Sequence, residues 1–197
     1  MNTVVTTILV FLIAATMQNL VLTAGFDSSV MLKINRNPRQ LFRFSVLVLC
    51  FSVITTAVFY PIDRLLAATW WVRMLRPIII VCIVCLLYLL AIVILSRFET
   101  LYRRVRHLLS LAAFNNLVVG VALLLNLQVS VSFFPALGLA AGAALGFGFL
   151  SSMTAEAAER MDNPEIPSSF RGLPATLVYL GLLALALMGF SPVFHFT

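Results

Sequence analysis

Charge is scarce in this chain: 7 acidic and 13 basic residues among 197, or 10% in all. A soluble domain carries about a quarter. With 62% hydrophobic residues and a mean hydropathy of +1.08, no water-facing shell can be assembled. That excludes a soluble enzyme or nucleic-acid-binding domain, despite the net charge of +6. Histidine and cysteine are nearly as sparse, at two and three residues. His107 and His195 fall in opposite membrane-edge regions and cannot pair. No Ser-His-Asp set, phosphate loop or zinc spacing exists. Lys33 is the first basic residue. The N-terminus therefore lacks a signal peptide's positive flank, and its apolar run is too long for one.

What the chain has is long charge-free runs, at 1–26, 44–62, 77–96, 107–155 and 172–197. A membrane helix needs about 20 apolar residues. The fourth run is twice that, with a turn expected around Asn126–Ser130. The sequence thus predicts an all-α integral membrane protein with six transmembrane helices, near 3–24, 44–60, 77–96, 108–126, 134–154 and 173–191. Basic residues mark the cytoplasmic side. Lys33, Arg36, Arg39, Arg43, Arg97, Arg103, Arg104, Arg106, Arg160 and Arg171 lie in odd-numbered loops. Only Arg64, Arg73 and Arg76 lie in an even one. Both termini are expected outside.

Two short strings match across the halves: Gln18-Asn19-Leu20-Val21-Leu22 and Asn115-Asn116-Leu117-Val118-Val119. A side-chain amide in hydrocarbon is costly without a partner. Paired amides in helices one and four imply a 3+3 inverted repeat, roughly 1–97 and 98–197, within a single membrane domain. The amides either bond to each other between helices or flank broken helices that line a polar site at mid-membrane depth. Gly25–Ser29 interrupts the first apolar run, and apolar residues resume at Val30, as a re-entrant stretch would. Helices one and four are expected to be broken. The candidate site is Gln18, Asn19, Asn115, Asn116 and Ser29.

Gly138, Gly142 and Gly146 recur every fourth residue on helix five, with Ala140, Ala144 and Gly148 as a second small row. Small rows let helix backbones approach closely in lipid, so a packing role is expected. Cys82-x-x-Cys85 sits mid-helix with no third ligand nearby, and packing is expected there too. Asp27 borders an apolar core; it is read as a boundary residue, with a cation ligand as the alternative. Pro164 and Pro167 keep the fifth loop from being one helix.

The stretch Glu159-Arg160, then Ile166-Pro167-Ser168-Ser169-Phe170-Arg171-Gly172-Leu173-Pro174, then Gly181–Ser191, resembles the end of the Rnf/Nqr membrane-subunit family. Asn116–Leu124 is similar to that family's central motif and Gln18–Leu22 to its N-terminal one. The resemblance is strongest to the branch of the A-type subunit of Rnf and the E-type subunit of Nqr. It implies a membrane subunit of an electron-transport, ion-translocating complex of the bacterial inner membrane, itself at most a non-catalytic part of an oxidoreductase. It also implies a homologous membrane partner of opposite topology, besides the bilayer, and an iron centre shared between them through two cysteines from each. Here Ser29 and Asn116 stand where those cysteines fall, so no cofactor is expected on this chain. The alternative is a cofactor-free transporter or channel-like subunit on the same scaffold.

Overall fold

The computed structural model describes residues 3–16, 38–66, 70–127, 132–164, 166–167 and 169–188. Among them the chain is helical, in seven helices: α1 Thr3–Thr16, α2 Pro38–Leu66, α3 Trp70–Ser96, α4 Glu99–Ala113, α5 Asn116–Leu127, α6 Phe133–Arg160 and α7 Leu173–Met188. Segments of α2, α3 and α6, at Arg39–Leu65, Met74–Ser96 and Phe133–Arg160, are long and apolar enough to cross a membrane. Tyr102–Ala113 and Asn116–Leu124 would make a fourth crossing if counted as one broken span, bent by 42°. Thr3–Ala15 and Leu173–Ala186 are shorter apolar helices.

Three expected boundaries need correction. Residues 61–76, read as a loop, are mostly helix, because α2 runs through Pro61 to Leu66 and α3 begins at Trp70. A proline deletes one donor, and a membrane helix can meet the freed carbonyl locally. Asp63 and Arg76 close this hairpin: Arg76 Nε lies 2.7 Å from Asp63 Oδ1, a charge contact without hydrogen-bond angles. Most of the stretch 97–107, also read as a loop, is the first half of α4, which starts at Glu99. There Glu99 and Arg103 pair one turn apart at 2.8 Å, while Val105, Leu108 and Leu109 are buried. The expected helix 108–126 is two helices, with Phe114 and Asn115 between them. The turn expected near Asn126–Ser130 lies largely outside the described residues.

The bundle is organised around α6, and small residues are the reason. A Cβ placed on Gly138 would stand 2.9 Å from the carbonyl oxygen of Thr7. One placed on Gly142 would collide with the Phe11 carbonyl and stand 3.0 Å from Ala14 Cβ. Thus α1 rests directly on the α6 backbone, and the two run parallel, Thr7 beside Gly138 and Phe11 beside Gly142. On the other flank α2 runs antiparallel to α6. Ser45 touches Gly148, Ser52 donates to the Ala140 carbonyl at 3.4 Å, and the Tyr60 and Phe133 rings meet at 5.4 Å. Phe44 and Phe147 lock edge to face at 5.8 Å, both fully buried. Beyond α6, Gly172 adopts a φ of +76°, and its N–H returns to the Met161 carbonyl at 3.1 Å, turning the chain into α7. That left-handed backbone suits glycine.

Candidate functional site

The break between α4 and α5 is built by one side chain. Phe114 N–H still donates to the Ser110 carbonyl at 3.1 Å, closing the last turn of α4. Asn115 then leaves the helix and caps the next one. Its Oδ1 accepts the Leu117 N–H at 2.8 Å, and its carbonyl accepts the Val118 N–H at 3.0 Å. A helix start leaves N–H groups without intrahelical acceptors, and asparagine is among the best caps for them. Leu117, Val118, Val121 and Ala122 are fully buried, so α5 enters the packed bundle from its first turn. The Phe114 ring meets Tyr88 of α3 at 5.4 Å.

Asn115 is buried, at 1% exposure. Its oxygen is satisfied, but its Nδ2 has no hydrogen-bond partner among the described residues. Besides Arg76 Nε, which meets Asp63 without hydrogen-bond angles, two further buried polar atoms share that condition among the described residues, the Oγ1 atoms of Thr55 and Thr56 on α2. The contrast with the chain's other hydroxyls is informative. Thr7, Ser151, Thr154 and Thr176 each donate to the carbonyl four residues back, at 2.7 to 2.9 Å. Thr55 and Thr56 do not.

These atoms lie at a common depth. α2 and α3 run antiparallel from the Asp63–Arg76 contact, and Tyr88 touches Phe114. Equal lengths of helix, at about 1.5 Å per residue, place Tyr88 near the level of residue 51 on α2. Asn115 is therefore within about one and a half turns of Ser52, Thr55 and Thr56. A capped half-helix, an amide donor and two hydroxyls without partners among the described residues thus stand at similar depth in the bundle. Each unsatisfied buried polar group costs about 1–3 kcal/mol, so this polar layer is not a device for stability.

Of the five candidate site residues, Gln18, Asn19 and Ser29 lie outside the described residues. The other two, adjacent in sequence, point apart: Asn115 is buried and Asn116 exposed on the first turn of α5. Gly138 and Gly142 face α1 as described above, and Gly146 is buried on α6. Sequence reasoning misses the threonine pair. Adjacent hydroxyls at Thr55-Thr56 are a weak signal, because a helical threonine ordinarily bonds its own backbone.

The donor set at the break does not fit an iron centre. Asn115 and Asn116 carry amides, neutral hard donors, where iron–sulfur chemistry wants anionic thiolates. Cys50 on α2 and Cys82 on α3 are exposed and Cys85 is half-buried. None of them lies on α4 or α5.

A family model described as "Rnf-Nqr subunit, membrane protein" matches residues 7–194. The A-type subunit of the ion-translocating oxidoreductase complex of Photorhabdus laumondii is 31% identical over 147 residues, 75% of this chain and 72% of that one. The A-type subunit of the Na⁺-translocating ferredoxin:NAD⁺ oxidoreductase complex of Acetobacterium woodii is 27% identical over 187 residues, 94% of this chain and 97% of that one. With the A-type subunit of the ion-translocating oxidoreductase complex of Colwellia psychrerythraea, the identity is 37% over 92 residues, about half (47%) of each chain.

Proposed function

The chain belongs to the Rnf-Nqr family of membrane subunits, and from that premise we propose that it is the A-type membrane subunit of an ion-translocating electron-transport complex, working without iron of its own. The observation that carries this reading is the match across residues 7–194, together with relatives named as the A-type subunits of such complexes. The chain contributes a scaffold and a polar mid-membrane layer rather than an electron relay. Asn115, Thr55 and Thr56 supply its described part; Gln18, Asn19 and Ser29 remain the sequence's candidates from the first half and lie outside the described residues.

The helix directions support a bacterial inner-membrane orientation with both termini outside. Because α2 opposes α6, the start of α2, the end of α3, the start of α4 and the end of α6 gather at one end of the bundle. That end holds Arg39, Arg43, Arg97, Arg103, Arg104, Arg106 and Arg160. The other end holds Arg64, stacked 5.3 Å over the Tyr60 ring, and Arg76. The basic end is the cytoplasmic one. A homologous membrane protein of opposite topology is the expected neighbour, and Asn116, exposed on α5, is placed to face it.

Affinity purification of the tagged chain in mild detergent tests the reading. It should bring down a second six-span protein of the same family together with flavin- and iron–sulfur-carrying subunits. Recovery with a solute transporter and no redox protein would instead favour a cofactor-free transport role on the same scaffold.

A further inference from the structure

A groove of about 590 Å³ runs between α2 and α6, on the flank of the bundle away from α1. Its floor is small: Ser45 on one side, and Ala144, Gly148 and Ser152 at successive turns on the other. Exposed Phe42, Val46, Leu145 and Phe149 form its apolar rim. At one end stand Glu156 and Glu159, both exposed and neither in an ion pair among the described residues.

From these features we infer that the groove binds one phospholipid by its acyl chain, with Glu156 and Glu159 receiving a primary ammonium headgroup, as in phosphatidylethanolamine. The dimensions suit a lipid chain. Ala144 to Glu159 spans 15 residues, about 22 Å of helix. Half a bilayer with its headgroups is about 20–22 Å thick. Spread over that length, the groove's volume gives a cross-section of about 27 Å². A polymethylene chain lies along such a channel without distortion.

The charges select the headgroup. One end of the groove is apolar and the other carries two unpaired carboxylates at headgroup depth. Those carboxylates repel the net negative charge of phosphatidylglycerol and attract an ammonium. A cytoplasmic end of a bundle is expected to be basic, and Arg39 and Arg43 on α2 stand at the same end to meet the phosphate. The inference rests on membrane embedding alone and not on the redox reading, so either can fail without the other.

The test uses the intact complex in native-lipid nanodiscs and a phosphatidylethanolamine carrying a diazirine on its acyl chain. Photolysis should label residues 41–49 and 144–159. Unlabelled phosphatidylethanolamine should compete about fivefold better than phosphatidylglycerol with the same acyl chains, the scale of an exposed charge contact. The double variant Glu156→Gln/Glu159→Gln, altering two exposed side chains, should retain the labelling and lose the preference. Equal competition by the two lipids in the wild-type complex would overturn the headgroup assignment. Benzoylphenylalanine in place of Val46 supplies the second arm. Capture of lipid supports the inference, and capture of another polypeptide would overturn it in favour of a protein interface.

Discussion

The parallel contact of α1 with α6 is the most sharply specified packing in this chain, and a graded glycine series measures it. Substituting alanine adds one methyl group, so any differences come from what that methyl meets. At Gly142 it meets the Phe11 carbonyl and Ala14 Cβ, on a helix that cannot yield by rotating one side chain. At Gly138 it meets the Thr7 carbonyl at 2.9 Å and Thr7 Cγ2 at 3.1 Å. At Gly148 it meets only Ser45, with Cβ at 3.2 Å and Oγ at 3.3 Å, and no backbone atom. At Gly181 nothing lies within 4 Å. Overpacking costs about 1–3 kcal/mol, and Gly142→Ala belongs at or above the top of that range because backbone must move. Gly181→Ala should be neutral or gain up to about 1 kcal/mol from reduced backbone freedom in the unfolded chain. For a chain of this size, 1 kcal/mol corresponds to about 2–4 °C in Tm. The loss of melting temperature in detergent should therefore be largest at Gly142, then Gly138, then Gly148, with about 6–12 °C for the first. Equal melting of Gly142→Ala and Gly181→Ala would refute the close approach of α1 to α6.

Three further outcomes follow from the break and the helix directions. Asn115→Ser keeps an oxygen cap and discards the unpaired donor, so it should melt near wild type, whereas Asn115→Leu should lose about 1 kcal/mol or more with its cap. Thr55→Val and Thr56→Val each remove a hydroxyl that has no partner among the described residues, and should leave melting unchanged or raise it slightly; a fall in ion translocation by the complex at unchanged melting is the expected signature of a working polar layer, and full translocation in the double variant would remove these residues from it. Alkaline phosphatase fused after Thr197 should be active and one inserted at 97–98 inactive, with the reverse pattern overturning the orientation.

Much of this is legible in the sequence, for reasons that differ by element. The membrane class follows from the scarcity of charge, and the small row on α6 from four-residue spacing, because both are local and periodic. Asn115 stands out because an amide in an apolar run is anomalous whatever surrounds it. Its role as a helix cap is less legible: the sequence offers Asn115 and Asn116 equally, and only the backbone decides that the first is buried and the second exposed. The ends of α2, α3 and α4 escape sequence reasoning because proline and arginine resemble helix boundaries there. In the structure Pro61 and Pro77 lie inside helices, and arginines occupy the outer face of α4. Thr55 and Thr56 are invisible for a different reason. Their unspent hydroxyls are anomalous only beside Thr154 and Thr176, which bond their own helix. That comparison needs coordinates.

The central claim is that this chain keeps the family's membrane scaffold without its iron, and iron content tests it most directly. Purified anaerobically and separated from its partners, the wild-type chain should hold no stoichiometric iron and show no thiolate-to-iron absorption in the visible range, because Asn116 and Ser29 supply no thiolates. A content of about one iron per chain, lost when Cys82 or Cys85 is replaced by serine, would contradict the account and return the chain to electron transfer.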